Sequence, residues 1–226
     1  MRKQGNNEVV RTVTVTVNGT SGSETITLPE GMYTVTEKLQ NNQDYYEQPE
    51  EQTVTVRRGD EERVIFTNTL KKYTVTIEKQ VTGNMYNTND EFEFKATVTF
   101  EDMPYRIQGS NDNEYKVDED GTITFTLKGG QSVVLLGVPK HAIVTVEETD
   151  RKDYETSYQM GSNDPTKDST ATINVQSDMS VTFINDKTVT IDTGVNLDVL
   201  PYLLMLAVAG GAVALLLVLK RRKTQE

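Results

Sequence analysis

Tyr73-Thr74-Val75-Thr76-Ile77-Glu78-Lys79 alternates between an inner and an outer set of side chains, and its reading decides the fold. A period of two puts one face of an extended strand against a core and the other in solvent. The pattern recurs on both sides: Val13-Thr14-Val15-Thr16-Val17 and Tyr33-Thr34-Val35-Thr36 before it, Ile123-Thr124-Phe125-Thr126-Leu127 after it. Asn18-Gly19, Asp120-Gly121 and Gly129-Gly130 punctuate these runs as hairpin or turn signals. Thr and Val dominate them, as half-buried sheet requires. Many short strands with frequent turns predict an all-β sandwich.

The runs also repeat. Residues 12–37 read strand, turn, TITLPEGMYTVTE; residues 122–148 read strand, turn, SVVLLGVPKHAIVTVEE. An acidic Tyr-containing stretch follows each, Asp44-Tyr45-Tyr46-Glu47 and Asp153-Tyr154-Glu155. Each then closes on a strand, Val64-Ile65-Phe66-Thr67-Asn68 or Val181-Thr182-Phe183-Ile184-Asn185. The second unit has about fifty more residues at its front, from Tyr73 to Gly121. Residues 1–70 are therefore read as the back part of a domain, residues 71–187 as a whole one, and residues 188–198 as a stalk. Met1-Arg2-Lys3-Gln4 is not read as a signal peptide, because no apolar stretch follows it.

Residues 199–219, VLPYLLMLAVAGGAVALLLVL, carry no charge. At about 1.5 Å per residue such a helix spans roughly 30 Å, the hydrocarbon thickness of a bilayer. Residues 220–226 begin Lys220-Arg221-Arg222-Lys223, and basic residues flanking a span stay cytoplasmic. The expected topology is single-pass, with residues 1–198 outside the cell.

The chain of 226 residues carries a net charge of −11; its last seven residues carry +3, which leaves −14 on residues 1–219. That acidity argues against nucleic acid as a partner. The absence of cysteine rules out disulfides and thiolate chemistry. His141, the one histidine, sits in a Pro-Lys-His turn and is expected to be solvated. It is too little for a zinc site. Asn111-Asp112-Asn113 and Asp118-Glu119-Asp120-Gly121 read as acidic turns, since Lys116 stands where a calcium loop needs an acid. No metal, cofactor or hydrolytic triad is expected.

LPEGMYTVTE followed by VIFTNT resembles the collagen-adhesin B-type (Cna B) repeat. YTVTIEKQVTGN, EFEFKATVTF, TFTLKGGQSVVLLGVP and FIND, in that order, resemble the streptococcal pilin isopeptide-linkage domain. The resemblance covers most of residues 9–187 and implies immunoglobulin-like β-sandwich stalk modules of Gram-positive surface adhesins and pilins. It further implies that a Lys of the first strand condenses with an Asn of the last, with a buried acid between them.

The residues obey that geometry. Lys79 extends the inward row Tyr73-Val75-Ile77, Asn185 extends Val181-Phe183, and Glu148 extends Val144-Val146. Three polar groups on apolar rows are costly unless they meet. The alternative is three strand ends bent to solvent. Burial lowers a lysine pKa and frees the nucleophilic amine, while a buried carboxyl is pushed towards its protonated form and can polarise the Asn carbonyl. Glu147 has the opposite parity. Glu37 and Asn68 occupy the equivalent places of the first unit, whose partner lysine would lie in the strand it lacks; Lys3, the only lysine before Lys38, sits in no strand pattern, and no bond is expected. By the same resemblance, Thr190-Ile191-Asp192-Thr193-Gly194 stands where a sorting signal would, with sortase cleavage between Thr193 and Gly194; its Leu and Pro are missing.

The function expected is a structural or adhesive surface stalk and not an enzyme, with membrane, sortase, cell wall and pilus subunits as partners. Two other readings stand beside it: a module binding carbohydrate or host matrix through Tyr45, Tyr46, Tyr154 and Tyr158, and a surface hydrolase.

Overall fold

The computed structural model describes residues 1–5, 9–18, 20–41, 43–109, 115–190 and 202–208. Residues 1–188 form one compact unit and residues 189–226 another. Of the apolar stretch 199–219, residues 202–208 are described and are helical; the remainder lies outside the described residues, as do residues 220–226, Thr193 and Gly194. Among the described residues no helix is long and apolar enough to cross a membrane.

Among the described residues the regular structure of residues 1–188 is β, apart from a 3-10 turn at Gln43–Tyr45. Strands β1 (Arg2–Lys3), β2 (Gly31–Val35) and β3 (Gln52–Val56) make a small sheet in the order β1-β2-β3. Tyr33 and Val35 of β2 are its buried side chains. Two expected strands are absent here. Val13 to Val17 join no ladder, and Val15 and Val17 are exposed. Residues 64–68 keep the expected alternation of burial but join no ladder among the described residues. Alternation specifies a face, and a strand also needs a partner for its backbone. Conversely Lys3, read as lying outside any strand, pairs with Tyr33.

Ten strands follow: β4 (Lys72–Thr82), β5 (Glu91–Phe100), β6 (Met103–Pro104), β7 (Lys116–Val117), β8 (Ile123–Lys128), β9 (Ser132–Pro139), β10 (Ile143–Glu148), β11 (Glu155–Met160), β12 (Thr170–Asn174) and β13 (Met179–Asp186). One sheet runs β12-β10-β5-β8-β7, with β6 on β5; the other runs β11-β13-β4-β9. Inward rows from both sheets share one core, including Val75 and Ile77 of β4, Phe92 and Phe94 of β5, Val144 and Val146 of β10, and Phe183 of β13. Phe94 meets Phe183 edge-on at 5.2 Å across that core. The two layers thus make the sandwich that period two predicted.

Topology sets up the site. The first and last long strands of this part, β4 and β13, lie side by side and parallel, with Lys79 opposite Phe183 and Asn185 opposite Val81. β10 belongs to the other sheet and faces them across the core.

Candidate functional site

Lys79, Glu148 and Asn185 meet between the two sheets. Their relative exposures are 2%, 1% and 0%, so the strand-end alternative, bent to solvent, does not describe them. Lys79 Nζ donates to Glu148 Oε1 at 3.0 Å, and Asn185 Nδ2 donates to the same oxygen at 2.6 Å. Glu147, of opposite parity, is exposed. The carboxyl faces the amide nitrogen, not its carbonyl oxygen as the sequence led us to expect.

The surroundings are apolar. Lys79 Nζ lies 4.3 Å from the ring centre of Phe92 and 5.9 Å from that of Phe94. Burial pushes the Lys79 amine down to about 8, against the attraction and hydrogen bond of Glu148. Burial likewise pushes the Glu148 carboxyl up, opposed by Lys79, by the Asn185 hydrogen bond and by Arg151. Both shifts favour the neutral partners, because taking two charges out of water is costly even when they touch. Three buried atoms here have no hydrogen-bond partner: Glu148 Oε2, Asn185 Oδ1 and Thr156 Oγ1.

The same pairing recurs in miniature before β4. Asn68 Nδ2 donates to Glu37 Oε1 at 3.2 Å, with Glu37 Oε2 and Asn68 Oδ1 buried and unpartnered. No described lysine joins this pair.

Other sequence readings change. His141 is not merely solvated: its Nε2 lies 2.8 Å from Asp44 Oδ2, and its Nδ1 3.0 Å from Gln176 Nε2. Lys140 bonds Asp44 at 2.6 Å, and Tyr45 packs against the His141 ring and Phe100. Tyr154 is buried, its hydroxyl donating to Asp90 Oδ2 at 2.7 Å, so it offers no ligand surface. The sequence reading missed Phe92 and Phe94. The two phenylalanines were visible as the inward row of β5, but nothing local says that they flank the amine. Asn111, Asp112 and Asn113 lie outside the described residues; among the described residues no group of acids or histidine could hold a metal ion.

The all-β sandwich thus buries an amine of β4, a carboxyl of β10 and an amide of β13 together. Residues 73–187 match a domain of unknown function (DUF7601), and the chain belongs to that family. It is similar to the pilus tip adhesin Cpa of Streptococcus pyogenes, 35% identical over 127 residues, covering 55% of this chain and 18% of the adhesin. A pilin of Streptococcus pyogenes serotype M1 is 28% identical over 183 residues, covering 70% of this chain and 52% of the pilin. The chain therefore spans about half the length, or less, of these curated relatives. The solved major pilin T3.2 from Streptococcus pyogenes serotype GAS13637 shares the fold, with a TM-score of 0.50 at 19% identity over 70% of this chain and 67% of that one.

Proposed function

We propose that the chain is a structural or adhesive element of a Gram-positive cell surface, pilin-like in build, whose residues 71–187 are locked by an amide bond between Lys79 and Asn185. One observation carries the reading: a lysine, a carboxyl and an asparagine amide share hydrogen bonds of 3.0 and 2.6 Å inside a buried, aromatic-lined core. Similarity to a pilus tip adhesin and a pilin of Streptococcus pyogenes supports the surface role.

The chemistry balances without a cofactor. The neutral amine of Lys79 attacks Asn185 Cγ; the new C–N bond forms, the Cγ–Nδ2 bond breaks, and ammonia leaves. Glu148 Oε1, bonded to both nitrogens, carries the proton from amine to leaving group. Each molecule reacts once, so this is maturation and not turnover.

The remaining organisation belongs to the same proposal. Residues 1–70 form a Cna B-like unit, residues 188–198 a stalk, and residues 199–219 a membrane span ahead of the basic tail 220–226. Residues 1–198 face outward, and sortase joins the chain to the wall or to pilus subunits at Thr193-Gly194. Intact mass of the purified chain tests the crosslink: one ammonia is expected to be missing. Lys79→Ala and Asn185→Ala restore the full mass, and Glu148→Ala blocks or slows the loss with both partners present. Well-folded wild-type protein at its unmodified mass would refute the bond.

A further inference from the structure

We infer that Tyr154 is a positioning residue for the crosslinking step: clasped by the segment between β4 and β5, it holds Phe92 over the Lys79 amine. The inference rests on the Lys79–Asn185 reading above and deepens it.

Tyr154 stands immediately before β11, where the chain has left the sheet of β10 and enters the sheet of β13. Its ring meets Phe92 of β5 edge-on, with centres 5.4 Å apart. Its hydroxyl donates to Asp90 Oδ2 at 2.7 Å and accepts the Asn87 N–H at 3.0 Å. Both partners belong to the segment that joins β4, the strand of Lys79, to β5, the strand of Phe92. Just past the end of β13, Lys187 Nζ lies 5.2 Å from the Tyr154 ring centre and pairs with Asp153 at 2.7 Å.

Contacts run unbroken from this clasp to the reacting amine. Phe92 is fully buried, and its ring centre lies 4.3 Å from Lys79 Nζ, nearer than that of Phe94 at 5.9 Å. A ring packed on an amine keeps water from that side, and an amine kept from water is more often neutral. The ring face also attracts an ammonium. The amine nonetheless sits at about 8, with burial as the largest cause, so the exclusion of water wins. Phe92 has no polar atom with which to fix its own ring, and packing must do it. Tyr154 supplies a neighbour that is itself tied down by two hydrogen bonds, as a buried phenol requires. Burial and the Asp90 carboxylate push the Tyr154 hydroxyl up, so it keeps its proton where the amine titrates. Of the charged groups in these contacts, Asp90 and Lys187 face Tyr154, and Glu148 faces Lys79. Tyr154 exchanges no proton with the reacting groups and acts through Phe92.

For the test, the full chain is synthesised cell-free at pH 6 and moved to buffers up to pH 10, and ammonia loss is followed by intact mass. Tyr154→Leu removes ring and clasp together. It is expected to raise the pH midpoint of the rate by about one unit, which makes crosslinking about 10-fold slower at pH 7, and to keep the wild-type plateau. Tyr154→Phe keeps the ring and loses the clasp, and should shift the midpoint the same way by less. Phe92→Leu should raise the midpoint too, and adding Tyr154→Leu to it should move the midpoint no further, because the two act in series. Circular dichroism checks folding; should Tyr154→Leu not fold, Asp90→Ala takes its place and should raise the midpoint as Tyr154→Phe does. A folded Tyr154→Leu, or Asp90→Ala in its place, with the wild-type midpoint overturns the positioning role and leaves the crosslink standing, whatever its plateau. A midpoint that rises equally in the presence and absence of Phe92 overturns it too, since Tyr154 would then act by another route. Folded wild type that loses no ammonia removes the crosslink itself, and this role with it.

Discussion

Lys79 is the residue on which the chemistry turns. At its ordinary value of 10.5, fewer than about one amine in a thousand would be neutral at pH 7; held at about 8, roughly one in ten is. The rate of ammonia loss is therefore expected to rise between pH 6 and pH 8 and to level off above, measured by intact mass on freshly synthesised chain. The same shift has a signature in the unlinked protein. The folded pKa lies below the unfolded one, so between about 8 and 10.5 the unfolded chain binds more protons and stability rises with pH. Asn185→Ala should melt higher at pH 10 than at pH 8 relative to the double variant Lys79→Met, Asn185→Ala, which lacks the amine. Glu148 acts in the opposite sense at lower pH: its raised pKa adds stability in acid that is lost as pH climbs through it.

Among the elements, the parallel pair β4–β13 places both reacting strands side by side, and its far end is tightly built. Gly83 has φ 102°, and a Cβ there would stand 2.3 Å from the Lys187 carbonyl oxygen, an atom bonded by the Met85 N–H. Gly83→Ala is expected to cost more than about 1 kcal/mol, through both the left-handed backbone and the backbone clash, read as a lowered melting temperature. At the other end, the 3-10 turn Gln43–Tyr45 presents Asp44 to Lys140, His141 and, at 3.7 Å, Lys71. Hydrogen bonds from Lys140 and His141 hold the Asp44 carboxyl down at about 2. The contact should persist through mild acid and be lost only as pH falls from about 4 towards 2. With a single histidine in the chain, its NMR resonances report the joint directly. Asp44→Ala should shift them at neutral pH, whereas a spectrum unchanged from wild type would show that the turn does not hold the ring.

For the whole molecule, the proposed bond changes what force and heat can do. It ties the first long strand of residues 71–187 to the last, closing a loop of about a hundred residues; in a chain-entropy model this stabilises by roughly 4–5 kcal/mol, before strain is deducted. A chain without cysteine would gain from it what disulfides give exported domains. Under tension applied from residues 71 and 187, the residues between Lys79 and Asn185 are bypassed. Asn185→Ala should lengthen by an extra ~350 Å on unfolding in a single-molecule pull, near the extended reach of that segment, and the linked wild type should not. Topology has its own measurement: protease shaving of intact cells should remove epitopes in residues 71–187, and their protection would sink the outward-facing assignment.

What the sequence determined alone was parity. Period two in Tyr73–Ile77 and Ile123–Leu127 committed the chain to sheet, and the same parity put Lys79, Glu148 and Asn185 on inward rows before any contact was known. Parity is a local property of an extended backbone, which is why it can be read from neighbours in sequence. The tertiary structure decided everything that depends on partners. It left Val13–Val17 without a ladder, brought Glu148 from the facing sheet, turned the Asn185 amide nitrogen to that carboxyl, set Thr156 opposite Asn185, and bound Asp44 to a turn 96 residues away. Register and sheet assignment are fixed by which distant rows bury one another, and no local period encodes that choice.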